Sequence, residues 1–316
     1  MRNALLSPPV TVPPEVRPAR RTRSSSSWIG YVFIAPNLLG FIAFTLLPML
    51  FALVIAFTRW NVVSGLRGIQ WIGIQNFVDL LHDTAFWQSA WLTLVYAGVG
   101  VPLAVGLGLL LALGLNGPLL GRTLLRLIFF VPFIVNPVAI ASTWILLYDP
   151  SYGPLNQALL HLGLAHPPLW LASSQWAIWG LIILTVWGNA GYTATIYLAA
   201  LQDISPNLYE AARIDGAGAW RRLRAITWPA LGPTTFFLLV TVFISTSQAF
   251  GLINLMTQGG PGTATTTLSY YIYLNGFQFY RFGYAAALAW IMFLGVFALT
   301  LLLWWLQRRG GAEEVA

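Results

Sequence analysis

The chain has 316 residues, 58% hydrophobic and 8% charged, with a formal net charge of +7, whereas a soluble domain carries about 25% charged residues, so an ordinary soluble protein is excluded. All 16 basic residues are arginine, which removes the lysine that a P-loop ATPase places on its phosphates. Cysteine is absent and histidine stands only at His82, His161 and His166, leaving thiolate catalysis, disulfides and metal sites without material; no catalytic residue and no metal site are expected.

Six stretches free of Asp, Glu, Lys and Arg are long enough to cross a bilayer, given that roughly 20 apolar residues cross about 30 Å of hydrocarbon. Residues 1–27, rich in Pro, Ser and Arg, read as a disordered basic tail. The apolar run Trp28 to Phe57 far exceeds the roughly 7 to 15 residues of a signal-peptide core, so it reads as an uncleaved first span. The second span is predicted over 87–115, where Gly100, Ala104, Gly108 and Ala112 recur every four residues and form a groove for a neighbouring helix. The third is predicted over 124–147 and the fourth over 175–200, after a Pro-, His- and Asn-bearing connection. The fifth is predicted over 230–254 and the sixth over 283–306, separated by the loop chemistry of Thr257 to Thr267, TQGGPGTATTT. Gly283, Ala287 and Gly295 repeat the small-residue face more weakly. Pro36, Pro48, Pro102, Pro132 and Pro137 fall inside spans, which is tolerated where neighbouring protein or water satisfies the freed backbone. The fold class is therefore all-α: a polytopic domain of six transmembrane helices over 28–307 and a short tail over 308–316.

An even number of spans puts both termini on one side. Thirteen arginines fall in the two tails and in the second and fourth connections, against Arg59, Arg67 and Arg281 in the others, which places both termini in the cytoplasm. With that charge assigned to topology, no nucleic-acid partner is expected, and the bilayer is the first partner.

The fourth connection, Asp203 to Pro233, carries the most information. Ser205 and Pro206 form a helix start, a capping hydroxyl followed by proline at the first helical position, and a short helix is predicted from Pro206 to about Ile214. Gly216 and Gly218 interrupt it, and a basic helical piece begins at Ala219.

These residues resemble the membrane subunits of bacterial ABC importers, whose signature is Glu-Ala-Ala, three residues, Gly, nine residues, Ile, one residue, Leu-Pro. Glu210, Ala211, Ala212, Gly216, Ile226 and Pro229 stand at those spacings, with Trp228 where Leu is usual. Asn76-Phe77, Phe129 to Pro137, Ala200 to Pro206, Thr257 to Pro261 and Phe282 to Ala287 are similar to the maltose and glycerol-phosphate type of carbohydrate permease, and the resemblance covers residues 28–307. It implies the type I importer permease fold in a bacterial inner membrane. It also implies that this chain carries no cofactor, ATP and Mg being bound by two cytoplasmic ATPase subunits, and that a second permease, most often a different chain, and an extracytoplasmic sugar-binding protein complete the complex. The segment 203–228 would hold the coupling helix, with Glu210, Ala211, Ala212, Asp215, Gly216, Ile226 and Pro229 as its residues. Small alanines allow close approach, and Glu210 offers a carboxylate to a basic group on the ATPase or locally to Arg213.

No Asp, Glu, Lys or Arg lies deep in a span, which argues against proton relays and fixed ionic sites. Asn136, Asn189, Tyr192, Gln248 and Asn254, with Trp144 and Trp187 nearby, supply amides and aromatic faces. Such groups suit a neutral polyol along a substrate path and equally serve as interhelical hydrogen bonds. The expected function is import of a mono- or oligosaccharide. A secondary carrier for a small polar solute and a glycerol-phosphate importer are the alternatives.

Overall fold

The computed structural model describes residues 27–117 and 120–312, with side chains from 31 to 307. Apart from Ser27, the basic tail read over 1–27 lies outside the described residues, as do residues 313–316. The chain divides into two units, 1–51 and 52–316. The first holds α1 (Ser27–Phe41), a π-helical turn (Ile42–Leu46) and the start of α2 (Leu47–Ala56).

The second unit is almost wholly helical. After α2, β1 (Thr58–Arg59) and β2 (Gln70–Trp71) form a two-stranded antiparallel ladder with Thr58 opposite Trp71. α3 (Gln75–His82) follows, and then the long α4 (Thr84–Leu115). α5 (Arg122–Ile134) and α6 (Pro137–Leu147) come next, then α7 (Pro154–His161) and α8 (Ala177–Asp203). α9 (Pro206–Ile214), α10 (Ala219–Arg222), a π turn (Leu223–Thr227) and α11 (Trp228–Ala230) lead into α12 (Gly232–Ser247). The chain ends with α13 (Phe250–Met256), α14 (Leu268–Tyr273) and α15 (Phe282–Ala312).

Among the described residues four helices are long and apolar enough to cross a membrane: Tyr31–Ala56, Thr84–Leu115, Ala177–Asp203 and Phe282–Gln307. The span predicted over 124–147 is a bent pair, α5 with α6 at 99°, and the one predicted over 230–254 starts only at the second member of another, Ala219–Ala230 with α12 at 61°, so among the described residues the count is four, or up to six if each pair crosses as one. The first bend has a local cause. Val135 is extended and Asn136 lies at φ −53°, ψ 125°, out of the helical region that a residue preceding proline avoids, and the Asn136 side chain accepts a 2.8 Å hydrogen bond from Val138 N–H. Asn136 and Pro137 thus end one helix and start another where the sequence suggests a single span. The stretch 230–254 is divided similarly: α12 stops at Ser247 and α13 begins at Phe250.

α4 and α8 form the centre of the second unit. The predicted small-residue groove on α4 is buried at Gly100, Ala104, Gly108 and Ala112, and its occupant is α8. A Cβ on Gly108 would stand 1.9 Å from Thr193 Oγ1 and 2.9 Å from Ala194 N, so only glycine permits this approach. One apolar cluster centres on Tyr96, Trp144, Tyr148, Trp170 and Leu181, and a second on Val101, Tyr197, Leu201, Leu231 and Leu238.

The TQGGPGTATTT segment is not a free loop. Thr265, Thr266 and Thr267 are buried, Thr265 and Thr266 donate to the carbonyls of Gly260 and Gly259, and Thr93 Oγ1 accepts from Leu268 N–H at 2.7 Å. Short hydroxyl side chains satisfy the turning backbone internally, and within the segment only Gln258, Gly262 and Thr263 are exposed.

Candidate functional site

Two features stand out: a short helix with apolar side chains exposed to solvent, and a cavity against the broken helix pair.

The short helix is α9. Pro206 opens it at the predicted place, but the Ser205 hydroxyl makes no capping bond; proline already removes one of the donors such a cap would serve. Its end is tightly defined. Ala217 N–H donates to Ala212 O at 2.8 Å and Gly216 N–H to Arg213 O at 3.0 Å, the paired bonds of a Schellman stop, with Gly216 at φ 72° in the left-handed region that a side chain disfavours. Asp215, the last residue before that glycine, donates its N–H to Ala211 O. Glu210, Ala211 and Asp215 are exposed and Ala212 is half-buried.

The apolar residues around this stop are also exposed: Leu208 by 53%, Ile214 by 87% and Trp220 by 73%. α9 is nonetheless held in place. Tyr209 OH meets Thr227 Oγ1 at 2.9 Å, and Arg222 Nη1 donates to Ala217 O at 3.0 Å. Thr227 is buried, with Ile226 and Pro229 half-buried beside it, so the hydroxyl pair ties α9 to the foot of the helix that continues as α12. The seven residues read as the coupling segment thus fall on one exposed helix, its stop and its anchor.

The cavity has a volume of about 260 Å³ and is bounded by Pro132, Phe133 and Pro137 of the broken pair, Thr185 and Asn189 of α8, and Thr246 of α12. Asn189 Nδ2 donates to Thr185 O at 2.9 Å, Thr185 Oγ1 pairs with Tyr96 OH at 2.6 Å, and Ser245, which also lines the space, donates to Val242 O. Thr246 differs from these. Its residue is 3% exposed and its hydroxyl has no hydrogen-bond partner, an arrangement that costs about 1–3 kcal/mol if nothing else binds there.

The other residues read as a substrate path are placed as follows. Tyr192 stacks on Phe133 at 4.4 Å and 14°, backing the cavity wall. Trp144 packs on Tyr148 and Trp187 and lines an adjacent space of about 420 Å³ that shares Pro132, Val135 and Ile140. Asn136 caps α6. Gln248 lines a separate space with Ile272, Ala289 and Met292, and Asn254 is half-buried on α13 and lines none of these. The structure therefore gathers Asn189, Tyr192 and Trp144 and leaves Gln248 and Asn254 apart. It adds Thr185, Ser245 and Thr246, whose only signal in the sequence is a hydroxyl inside an apolar run.

Several membrane-length helices, one bent pair lining a cavity and an exposed amphipathic helix between two apolar segments define a multi-pass helical membrane protein of the transport class. Residues 104–310 match the family described as binding-protein-dependent transport system inner membrane component, and the chain belongs to that family. It is 36% identical over 278 residues to the probable ABC transporter permease protein YesP of Bacillus subtilis, covering 87% of this chain and 88% of that one. It is 35% identical over 276 residues to the trehalose/maltose transport system permease protein MalF of Thermococcus litoralis, covering 86% and 91%. Among solved structures, a chain of the bacterial alginate ABC transporter in complex with an alginate pentasaccharide-bound periplasmic protein superposes with a TM-score of 0.78 at 28% identity, covering 89% of this chain and 94% of that one.

Proposed function

We propose that this chain is one of two permease subunits of an ATP-driven, binding-protein-dependent sugar importer in a bacterial inner membrane. Six spans with both termini cytoplasmic follow if each bent pair crosses once, and the thirteen-to-three distribution of arginines supports that orientation. An extracytoplasmic binding protein delivers the sugar, and two ATPase subunits bind ATP and Mg. The names of the relatives support the sugar class, and a cavity lined by hydroxyls, an amide and aromatic faces suits a sugar ring.

The observation that carries this reading is the exposure of Leu208, Ile214 and Trp220 around a helix anchored through Tyr209 and Thr227. Exposed apolar side chains on a rigid helix outside the spans mark a surface that a protein partner covers. A force applied to α9 through such a partner passes by the Tyr209 to Thr227 contact into α12, which carries Ser245 and Thr246. Closure of an ATPase dimer would in this way change the shape of the cavity. The buried hydroxyl of Thr246 would find its partner in a sugar hydroxyl, and the aromatic faces of Phe133 and Tyr192 would border the apolar side of the ring.

The test is to tag the chain at its C-terminus, purify it from its native membrane in mild detergent and identify what stays bound. A second permease and an ATPase are expected with the wild type. Glu210→Ala and Ile214→Asp should lose the ATPase while still inserting in the membrane. Normal ATPase recovery and normal sugar uptake in both variants would overturn the coupling role, and a homo-oligomer without ATPase would favour a secondary carrier.

A further inference from the structure

We infer that the cavity between the Thr58–Asp83 segment and the start of α15 is a subsite for an acidic sugar, with Arg59 and Arg281 holding the carboxylate. The inference rests on the sugar-importer reading and orientation proposed above, in which this cavity opens on the side opposite the termini.

The cavity measures about 580 Å³, and its lining includes Arg59, Asn61, Asp79, Asp83 and Arg281. Its two arginines are 222 positions apart and meet through backbone pairing. Asn61 and Arg281 form an antiparallel bridge, Phe282 N–H donates to Trp60 O at 2.9 Å and Val62 N–H to Tyr280 O at 3.3 Å. Asn76 Nδ2 fastens the same frame by donating to Ala56 O and Thr58 O at 2.8 and 2.9 Å. Two of the three arginines assigned to this side of the chain thereby line one cavity, both side chains exposed and the Arg281 guanidinium 6.0 Å over the Phe279 ring.

The carboxylates in the cavity are committed elsewhere. Asp83 accepts from Tyr271 OH at 2.6 Å, from Tyr284 OH, and from Ala85 N–H at 2.9 Å, while Asp79 accepts from Gln75 Nε2 at 2.8 Å. Among the described residues neither Arg59 nor Arg281 donates a side-chain hydrogen bond to the protein. Each planar guanidinium presents five N–H donors in a fork that matches a carboxylate.

Size and polarity select among the anions. An aspartate or glutamate side chain from a docking protein would leave most of 580 Å³ empty, whereas small-molecule sites run from about 300 to 1,000 Å³. The charged and amide lining is unsuited to an acyl chain. A uronate ring fits both constraints, with its carboxylate on the arginines and its hydroxyls against Asn61 and the remaining acceptor capacity of Asp79. The cavity against the broken pair, by contrast, has no charged residue in its lining. Selection by charge would then take place at the mouth, ahead of an uncharged path.

The test uses the full chain with its co-purifying partners in lipid nanodiscs, titrated with galacturonate and, separately, with galactose, and read by calorimetry. Galacturonate is expected to bind saturably and at least tenfold more tightly than galactose. Arg59→Gln with Arg281→Gln should abolish that preference, and Arg67→Gln, an exposed arginine on the same side, should leave it intact. If the double variant does not fold, Arg281→Lys alone should weaken galacturonate at least threefold without changing galactose. Absence of saturable galacturonate binding, equal affinity for the two sugars, or a preference that survives loss of both guanidiniums would overturn the subsite. Recovery of the ATPase in the same preparation reports separately on the importer reading, so the two can fail independently.

Discussion

Thr193 on α8 donates its hydroxyl to the carbonyl of Ala104 on α4 at 3.1 Å, and one turn further along α4 Gly108 passes the same side chain without room for a methyl group. The contact is the tightest point of the pair that carries Thr185 and Asn189 to the cavity. Gly108→Ala should destabilise the protein by about 1–3 kcal/mol, the usual range for overpacking a filled core, measured as a lower melting temperature in detergent. Adding Thr193→Ala should recover only part of the loss, because Ala194 N also lies 2.9 Å from the new methyl. Gly98→Ala, where a Cβ meets nothing within 4 Å, is the control and should be neutral or mildly stabilising.

Gly216 is tested by the same logic applied to backbone shape. At φ 72° a β-branched residue costs more than asparagine, which visits the left-handed region more readily. Gly216→Asn should keep most sugar uptake and ATPase recovery, and Gly216→Val should lose most of both at unchanged membrane insertion. Equal activity of the two variants would show that the stop geometry of α9 plays no part in coupling.

These two sites differ in how far the sequence reveals them. The small-residue stripe on α4 and the Glu-Ala-Ala spacing are periodic or local patterns, so they are legible without a structure, as are the four unbroken spans, where length and the absence of charge decide. The partner of the stripe is not legible, because Thr193 meets Gly108 only after α8 has packed. The Asn136-Pro137 break reads as a tolerated proline until the extended backbone and the cap on Val138 separate two helices. Among the path residues, Asn189 and Tyr192 stand out as polar or aromatic groups in an apolar run, but so do Gln248 and Asn254, which the sequence favours first because they follow the coupling segment and which the structure sets apart. Thr246 does not, because threonine is common on helices and its unpaired hydroxyl is a property of the surrounding packing.

The orphaned hydroxyl makes opposite predictions for stability and transport. Thr246→Val replaces it with a methyl of nearly the same shape, removing a buried donor without a partner. The empty protein should be as stable as the wild type or more so by up to about 1–3 kcal/mol, seen as an equal or higher melting temperature. If the hydroxyl serves the sugar, half-saturation of uptake should rise about tenfold, the equivalent of one lost bond of about 1.4 kcal/mol. Unchanged uptake together with raised stability would mark Thr246 as a packing residue.

Asp83 joins the start of α4 to α14 and α15 through Tyr271 and Tyr284. Partial burial alone would raise its pKa, but the two tyrosine hydroxyls and the N–H groups of Ala85 and Phe86 outweigh it, and the carboxyl lies below its ordinary value. A depressed carboxylate means that the unfolded chain takes up protons first as the pH falls. Its contribution is therefore complete above an ordinary aspartate pKa of about 3.9 and is lost as the pH drops through the lower folded value. Asp83→Asn keeps the size of the side chain but loses the charge that strengthens both tyrosine bonds, and should be less stable at pH 7 by about 1–2 kcal/mol. Melting curves of the two proteins should converge as the pH is taken from about 4 downwards through the lowered value. A difference that stays constant over that interval would mean that the carboxylate charge is not what holds the three helices at this point.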